Sequence, residues 1–150
     1  MSTRASERRQ DEIVVALLRR HAQRLAQSFD LPLRALYAES PRVKRRYGIC
    51  YADGTIKIRL RSVRNGELLR ESSLVDTLCH ELAHLRHFDH GARFERLYRR
   101  ILEYARRHGV YRPNSPSRWQ SIEVEPPRRT SSQLPALARA PQAPVQLELF

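Results

Sequence analysis

The run His80-Glu81-Leu82-Ala83-His84-Leu85-Arg86-His87-Phe88-Asp89-His90 places strict demands on the backbone around it. Histidines at i and i+4 share one helical face about a turn apart, near enough to grip one metal ion. Glu81, beside the first of them, can then reach a water at that metal as a general base. A straight helix would carry position 90 roughly 9 Å up the axis from His84. For His90 to join the other two, the chain must leave the helix and turn back. Phe88-Asp89-His90-Gly91 supplies such a break, with Asp89 as N-cap of the next helix and Gly91 easing a close backbone approach. His90 then lies in the first turn of that helix. Three neutral ligands with the fourth position open form the catalytic rather than the structural pattern of Zn(2+). The expectation is a zinc hydrolase with His80, His84 and His90 as ligands and Glu81 as the catalytic residue. His87 has the wrong spacing for this triad and reads as a surface or outer-shell residue.

The flanks agree with that backbone. Leu74, Val75, Leu78, Leu82 and Leu85 recur at helical spacing, which predicts an amphipathic helix over 73–87. Ser72 or Ser73 is the expected N-cap. With Ser73 as cap, Asp76 sits at N3 in a capping-box-like position, a reading favoured over a contact with a ligand histidine. Phe94, Leu97, Tyr98, Ile101, Leu102 and Ala105 form the apolar stripe of a following helix that Gly109 ends. Upstream, 45–51 and 56–61 read as strands joined at Asp53-Gly54, with Lys57, Arg59 and Arg61 pointing outward. A first amphipathic helix spans about 7–29, with Ile13, Leu17, Leu18, Leu25 and Phe29 inward. The fold class is therefore α+β and zincin-like. It comprises an N-terminal helix, a small antiparallel-rich sheet of three or four strands, the motif helix and a long following helix, then a disordered tail.

Tyr47-Gly48-Ile49-Cys50, Gly54-Thr55-Ile56-Lys57-Ile58, His80 to His84 and His90-Gly91-Ala92-Arg93-Phe94 occur in that order. This succession resembles the SprT-like and YgjP-like metallopeptidases, small zincins related to the protease Spartan. The resemblance covers roughly residues 10–112. It implies zinc at His80, His84 and His90, a catalytic Glu81, and proteins trapped on DNA as substrates. Tyr47 and Ile49 stand where the group has tryptophan and serine, and no zinc ribbon follows the domain.

Composition bounds the rest. The 150 residues suffice for one core, here placed at 1–122. Cys50 and Cys79 have no spacing that suggests a disulfide framework or zinc finger. No signal peptide or membrane-spanning run is visible, so the expected location is the cytoplasm, without membrane attachment and as a monomer. The net charge of +12 suits a polyanion. A scattered, solvated basic surface competes on equal terms with a DNA groove at Arg42, Lys44, Arg45, Arg46, Lys57, Arg59 and Arg61. Seven of the nine prolines lie at or beyond Pro113, and 123–144 reads as a Pro-rich flexible linker, with Trp119 folding back on the domain. The last residues, 145–150, are abruptly apolar. Gln146, Leu147, Leu149 and Phe150 resemble the bacterial sliding-clamp-binding motif Q-L-[S/D]-L-F, with Glu148 at its variable position. A frayed end or short strand is the plainer alternative.

Together these readings favour a zinc endopeptidase acting on DNA-associated or DNA-crosslinked proteins. Its tail would hold it at the replication sliding clamp, which places it near replication forks. A non-proteolytic DNA- and clamp-binding adaptor with structural zinc is the alternative from another class, and a general cytoplasmic metallopeptidase is the third. Tyr47, Tyr51, Arg93 and Tyr111 are equal candidates for stabilising an oxyanion.

Overall fold

A computed structural model of the chain describes residues 3–119. Its elements are α1 (Arg4–Phe29), β1 (Ala35–Ala38), β2 (Gly48–Cys50), β3 (Thr55–Ile58), α2 (Glu71–His84) and α3 (Ala92–Arg107). The arrangement is α+β, as the periodicities predict. Both the linker and the terminal apolar motif at 145–150 lie outside the described residues.

The first helix begins at Thr3, whose side chain caps the Ser6 amide, and ends at Asp30 in the left-handed region. Val14, Leu18, Ala22 and Leu25 face the core, whereas Ile13, expected inward, is 38% exposed. Ile13 falls one position off the stripe that the 14/18/22/25 spacing defines.

The three-stranded sheet has the order β1-β3-β2. Strand β2 pairs antiparallel with β3, in register Gly48↔Ile58 and Cys50↔Ile56. Strand β1, which the alternation pattern does not reveal, pairs parallel with β3, so the sheet is mixed. Between β2 and β3 the chain turns tightly, with Gly54 at φ +92° and its amide donating to the Tyr51 carbonyl at 3.1 Å. A Cβ at Gly54 would lie 2.4 Å from the Pro32 carbonyl, so glycine is required there.

The central strand β3 is covered along its whole length. Here the outward orientation expected for Lys57 and Arg59 is wrong, since both are buried. Arg59 donates from Nε to the Arg46 carbonyl at 3.0 Å and also reaches the Val43 carbonyl, so the loop before β2 folds over it. Lys57 lies 5.7 Å from the centre of the Tyr51 ring. Arg61 is half-buried and donates to Asp11 at 2.9 Å and Gln10 at 2.7 Å. These cations hold the fold, since a buried charge needs such partners. Arg42, Lys44 and Arg45 are exposed, and Arg46 pairs with Glu39 at 3.2 Å.

Helix α2 starts earlier than its serines suggest. Its N-cap is Arg70, which makes no side-chain capping bond. The Glu71 amide instead donates to Ser117 Oγ at 3.2 Å, a cap supplied from 46 residues away. Ser72 and Ser73 therefore lie inside the helix, and Asp76 is too deep for a capping box. It accepts a short hydrogen bond from the Tyr98 hydroxyl of α3. Glu71 is buried and bound by the Arg118 guanidinium and amide, while Trp119 is 4% exposed and stacks on His21 at 6.1 Å. The return of Trp119 to the domain is as expected. Helix α3 ends in a Schellman arrangement in which Gly109 and Val110 donate to Arg106 and Ala105.

Candidate active site

Helix α2 carries His80 and His84 on one face, and the chain breaks immediately after, at Leu85. The turn back is made by 85–91, so that His90 lies just before α3 rather than within its first turn. Gly91, not Asp89, is the N-cap of α3. This placement brings three imidazoles together. His84 Nε2 lies 3.2 Å from His80 Nε2 and 3.0 Å from His90 Nε2, and the His80–His90 separation is 3.2 Å.

Two features prepare these nitrogens for a cation. His84 Nδ1 lies 3.0 Å from the His87 carbonyl, which can only accept, so this nitrogen carries the proton and Nε2 presents its lone pair. Burial lowers the pKa of His80 and His84, and the neighbouring histidines lower it further, favouring the neutral rings. Three neutral imidazoles at about 3 Å lack enough protons to satisfy one another. Tetrahedral zinc with bonds of about 2.0–2.1 Å would set its ligand nitrogens roughly 3.3 Å apart. The group fits zinc in chemistry and in spacing.

Beneath the three rings lies Phe94, 1% exposed and the first large apolar residue of α3. It stacks on His84 at 4.4 Å and meets His80 and His90 edge-on at 4.9 and 5.0 Å. The apolar stripe identifies Phe94 as core; only the fold reveals it as the floor of the triad. His87 serves through its backbone, a role that no side-chain spacing can signal.

Glu81 is 5% exposed, and its carboxylate makes no hydrogen bond among the described residues. Burial pushes its pKa up to about 7, against the pull of Arg46. Strand β2 approaches it closely. A Cβ at Gly48 would lie 3.0 Å from Glu81 Cγ and 2.9 Å from Thr77 Cγ2, so the bare backbone of Gly48 sets where the carboxylate rests. Tyr47, Gly48, Asp76, Thr77, His80, Glu81 and Tyr98 line a cleft of about 290 Å³. Of the four oxyanion candidates, Tyr47 borders this cleft, whereas Tyr51, at the start of the turn that follows β2, is buried and does not line it. Tyr98 is a cleft residue that the sequence presents only as part of the apolar stripe.

Structures with the same fold are known. A crystal structure of Wss1 from Saccharomyces cerevisiae superposes with a TM-score of 0.61 at 18% identity, over 71% of this chain and 88% of that one. A Wss1 mutant from the same yeast gives 0.59 at 19% identity, over 69% and 86%. No curated protein matches in sequence. The motif succession resembles the SprT-like and YgjP-like groups, but the family description that matches is that of the WLM domain. It extends over residues 13–140, most of the chain, which therefore belongs to the WLM-domain family.

Proposed function

We propose that the protein is a zinc-dependent endopeptidase that cleaves DNA-associated or DNA-crosslinked proteins. The observation that carries this reading is the convergence of three imidazole nitrogens within 3.0–3.2 Å, next to a buried glutamate on the same helix. His80, His84 and His90 would hold the ion, and zinc bound there would supply Lewis acidity toward a water and a peptide carbonyl. Glu81 accepts the proton of the attacking water and delivers it to the departing amine. Burial, which raises the pKa of this carboxyl, makes it a better base for the first transfer. The His87 carbonyl holds the His84 ring in the binding tautomer, and Phe94 keeps the three rings facing one point. A purely structural metal site has no need of such a base, which favours an enzyme over a zinc-stapled adaptor.

The DNA-linked substrate class rests on the family and on the resemblance to Spartan. The exposed Arg42, Lys44 and Arg45, just before β2, supply the phosphate contacts in this reading. Recruitment to the sliding clamp, and with it a cytoplasmic, fork-associated location, rests on Gln146, Leu147, Leu149 and Phe150. Docking of that motif would raise the local concentration of the protease at the clamp.

The decisive experiment is hydrolysis of a DNA-crosslinked protein by the wild type and by Glu81→Gln. The variant should retain about one zinc per chain and lose at least about a hundredfold in turnover. Unchanged turnover removes Glu81 from the reaction. Deleting 146–150 should abolish micromolar binding to a bacterial sliding clamp in calorimetry and leave hydrolysis of an unstructured peptide intact. If the full-length chain also fails to bind the clamp, the general peptidase becomes the better reading.

A further inference from the structure

The cleft beside Glu81 has a charge opposite to that of the chain around it. The sequence holds 28 lysines and arginines against 16 acids, yet the acids Asp76 and Glu81 line this cavity and, among the described residues, no lysine or arginine does. At about 290 Å³ it accommodates one long side chain rather than a folded ligand. Two phenol rings stand with the carboxylates. Tyr47 is 66% exposed, at the open side, and Tyr98 is half-buried.

Asp76 lies one helical turn before His80. The Tyr98 hydroxyl spends its single proton on Asp76 Oδ1, which orients the carboxylate and leaves Oδ2 for another donor. Aromatic faces with a carboxylate are what an ammonium or guanidinium group seeks, through cation–π attraction and charge-assisted hydrogen bonds. We propose that Asp76, together with the rings of Tyr47 and Tyr98, forms a subsite for a lysine or arginine side chain of the substrate, next to the scissile bond. This inference rests on the peptidase reading, and it adds which residues of a protein substrate the cleft selects. Tyr98 acts twice in it: its ring is a wall of the subsite, and its hydroxyl positions Asp76.

A plainer role for the Asp76–Tyr98 bond is to tie α2 to α3. Asp76→Asn separates the two, because the amide oxygen still accepts from Tyr98 while the charge is gone. The probes are short unstructured peptides with one lysine scanned across the cleavage region, each paired with a glutamine twin. Their binding is measured by NMR titration on the Glu81→Gln protein, with or without zinc, and their hydrolysis is followed with active enzyme. At one position lysine should be preferred about tenfold, the worth of one charged hydrogen bond, in both binding and kcat/KM. Asp76→Asn should bring both ratios near unity, whereas Tyr98→Phe should keep most of the preference. Equal binding of the twins, no binding of either, or a preference that survives Asp76→Asn overturns the subsite. Selective binding without hydrolysis overturns the peptidase reading and leaves the subsite standing. Hydrolysis without selectivity does the reverse.

Discussion

The two ends of α2 are built on different principles. At its C-terminal end, the triad comes from residues within eleven positions of one another, His80 to His90, and is completed by a short turn and the His87 carbonyl. At its N-terminal end, the helix has no cap of its own and is held by Ser117 and Arg118, more than forty residues later. Local spacing suffices to gather ligands, because a helix and one tight return fix the distances. Holding that helix against α1 needs a second segment of chain. A burial-dependent acid, Glu71, is what receives it.

This contrast can be broken first at the metal. His90→Ala should lose most of its zinc, read by metal analysis, because two imidazoles alone leave the site half-built. His87→Ala should retain zinc, since its backbone carbonyl remains. Loss in both variants would mean that the His87 ring takes part.

A smaller effect is expected at the strand that faces the site. Gly48→Val should keep zinc and lower kcat/KM by about tenfold to a hundredfold, because its side chain displaces Glu81 or Thr77. Zinc content and activity that are both unaffected would show that the carboxylate has room to move.

The distal end should respond in stability rather than in chemistry. Arg118→Ala should cost about 1–2 kcal/mol in denaturant unfolding, near the low end for a charged hydrogen bond because Arg118 is half exposed. The pH dependence carries a definite sign. Burial alone would raise the Glu71 pKa, but the hydrogen bonds from Arg118 hold it below its ordinary 4.5. This contribution is therefore full above pH 4.5 and is lost as pH falls through the lowered value, so the wild type and Arg118→Ala should converge in stability in acid. A constant gap down to about pH 2.5 would show that packing, not the ion pair, is lost.

The mildest test concerns the two basic groups. Replacing Lys44 or Arg45 should reduce the salt slope of DNA binding by about one each, whereas Arg59→Ala should lower stability and leave the slope alone. A slope change in the Arg59 variant would contradict its structural role.

What the sequence determined by itself follows from short-range geometry. The i, i+4 histidines, the adjacent glutamate, the return at Phe88–Gly91 and the apolar stripes of the helices are relations among near neighbours. Such relations survive whatever the rest of the chain does. Tertiary structure decided the remainder, because it depends on what lies across a gap in sequence. Lys57 and Arg59 alternate like outward cations on a half-exposed strand, but β1 and the loop before β2 cover β3 and bury them. Asp76 has the spacing of a capping residue, yet a serine from beyond α3 starts the helix earlier and leaves Asp76 to meet Tyr98 at the cleft. Gly48 reads as one more strand glycine until the fold brings Glu81 within 3.0 Å of where its Cβ would be. In each case a polar group took the nearest partner that burial offered, and burial is a property of the assembled layers, not of the local run.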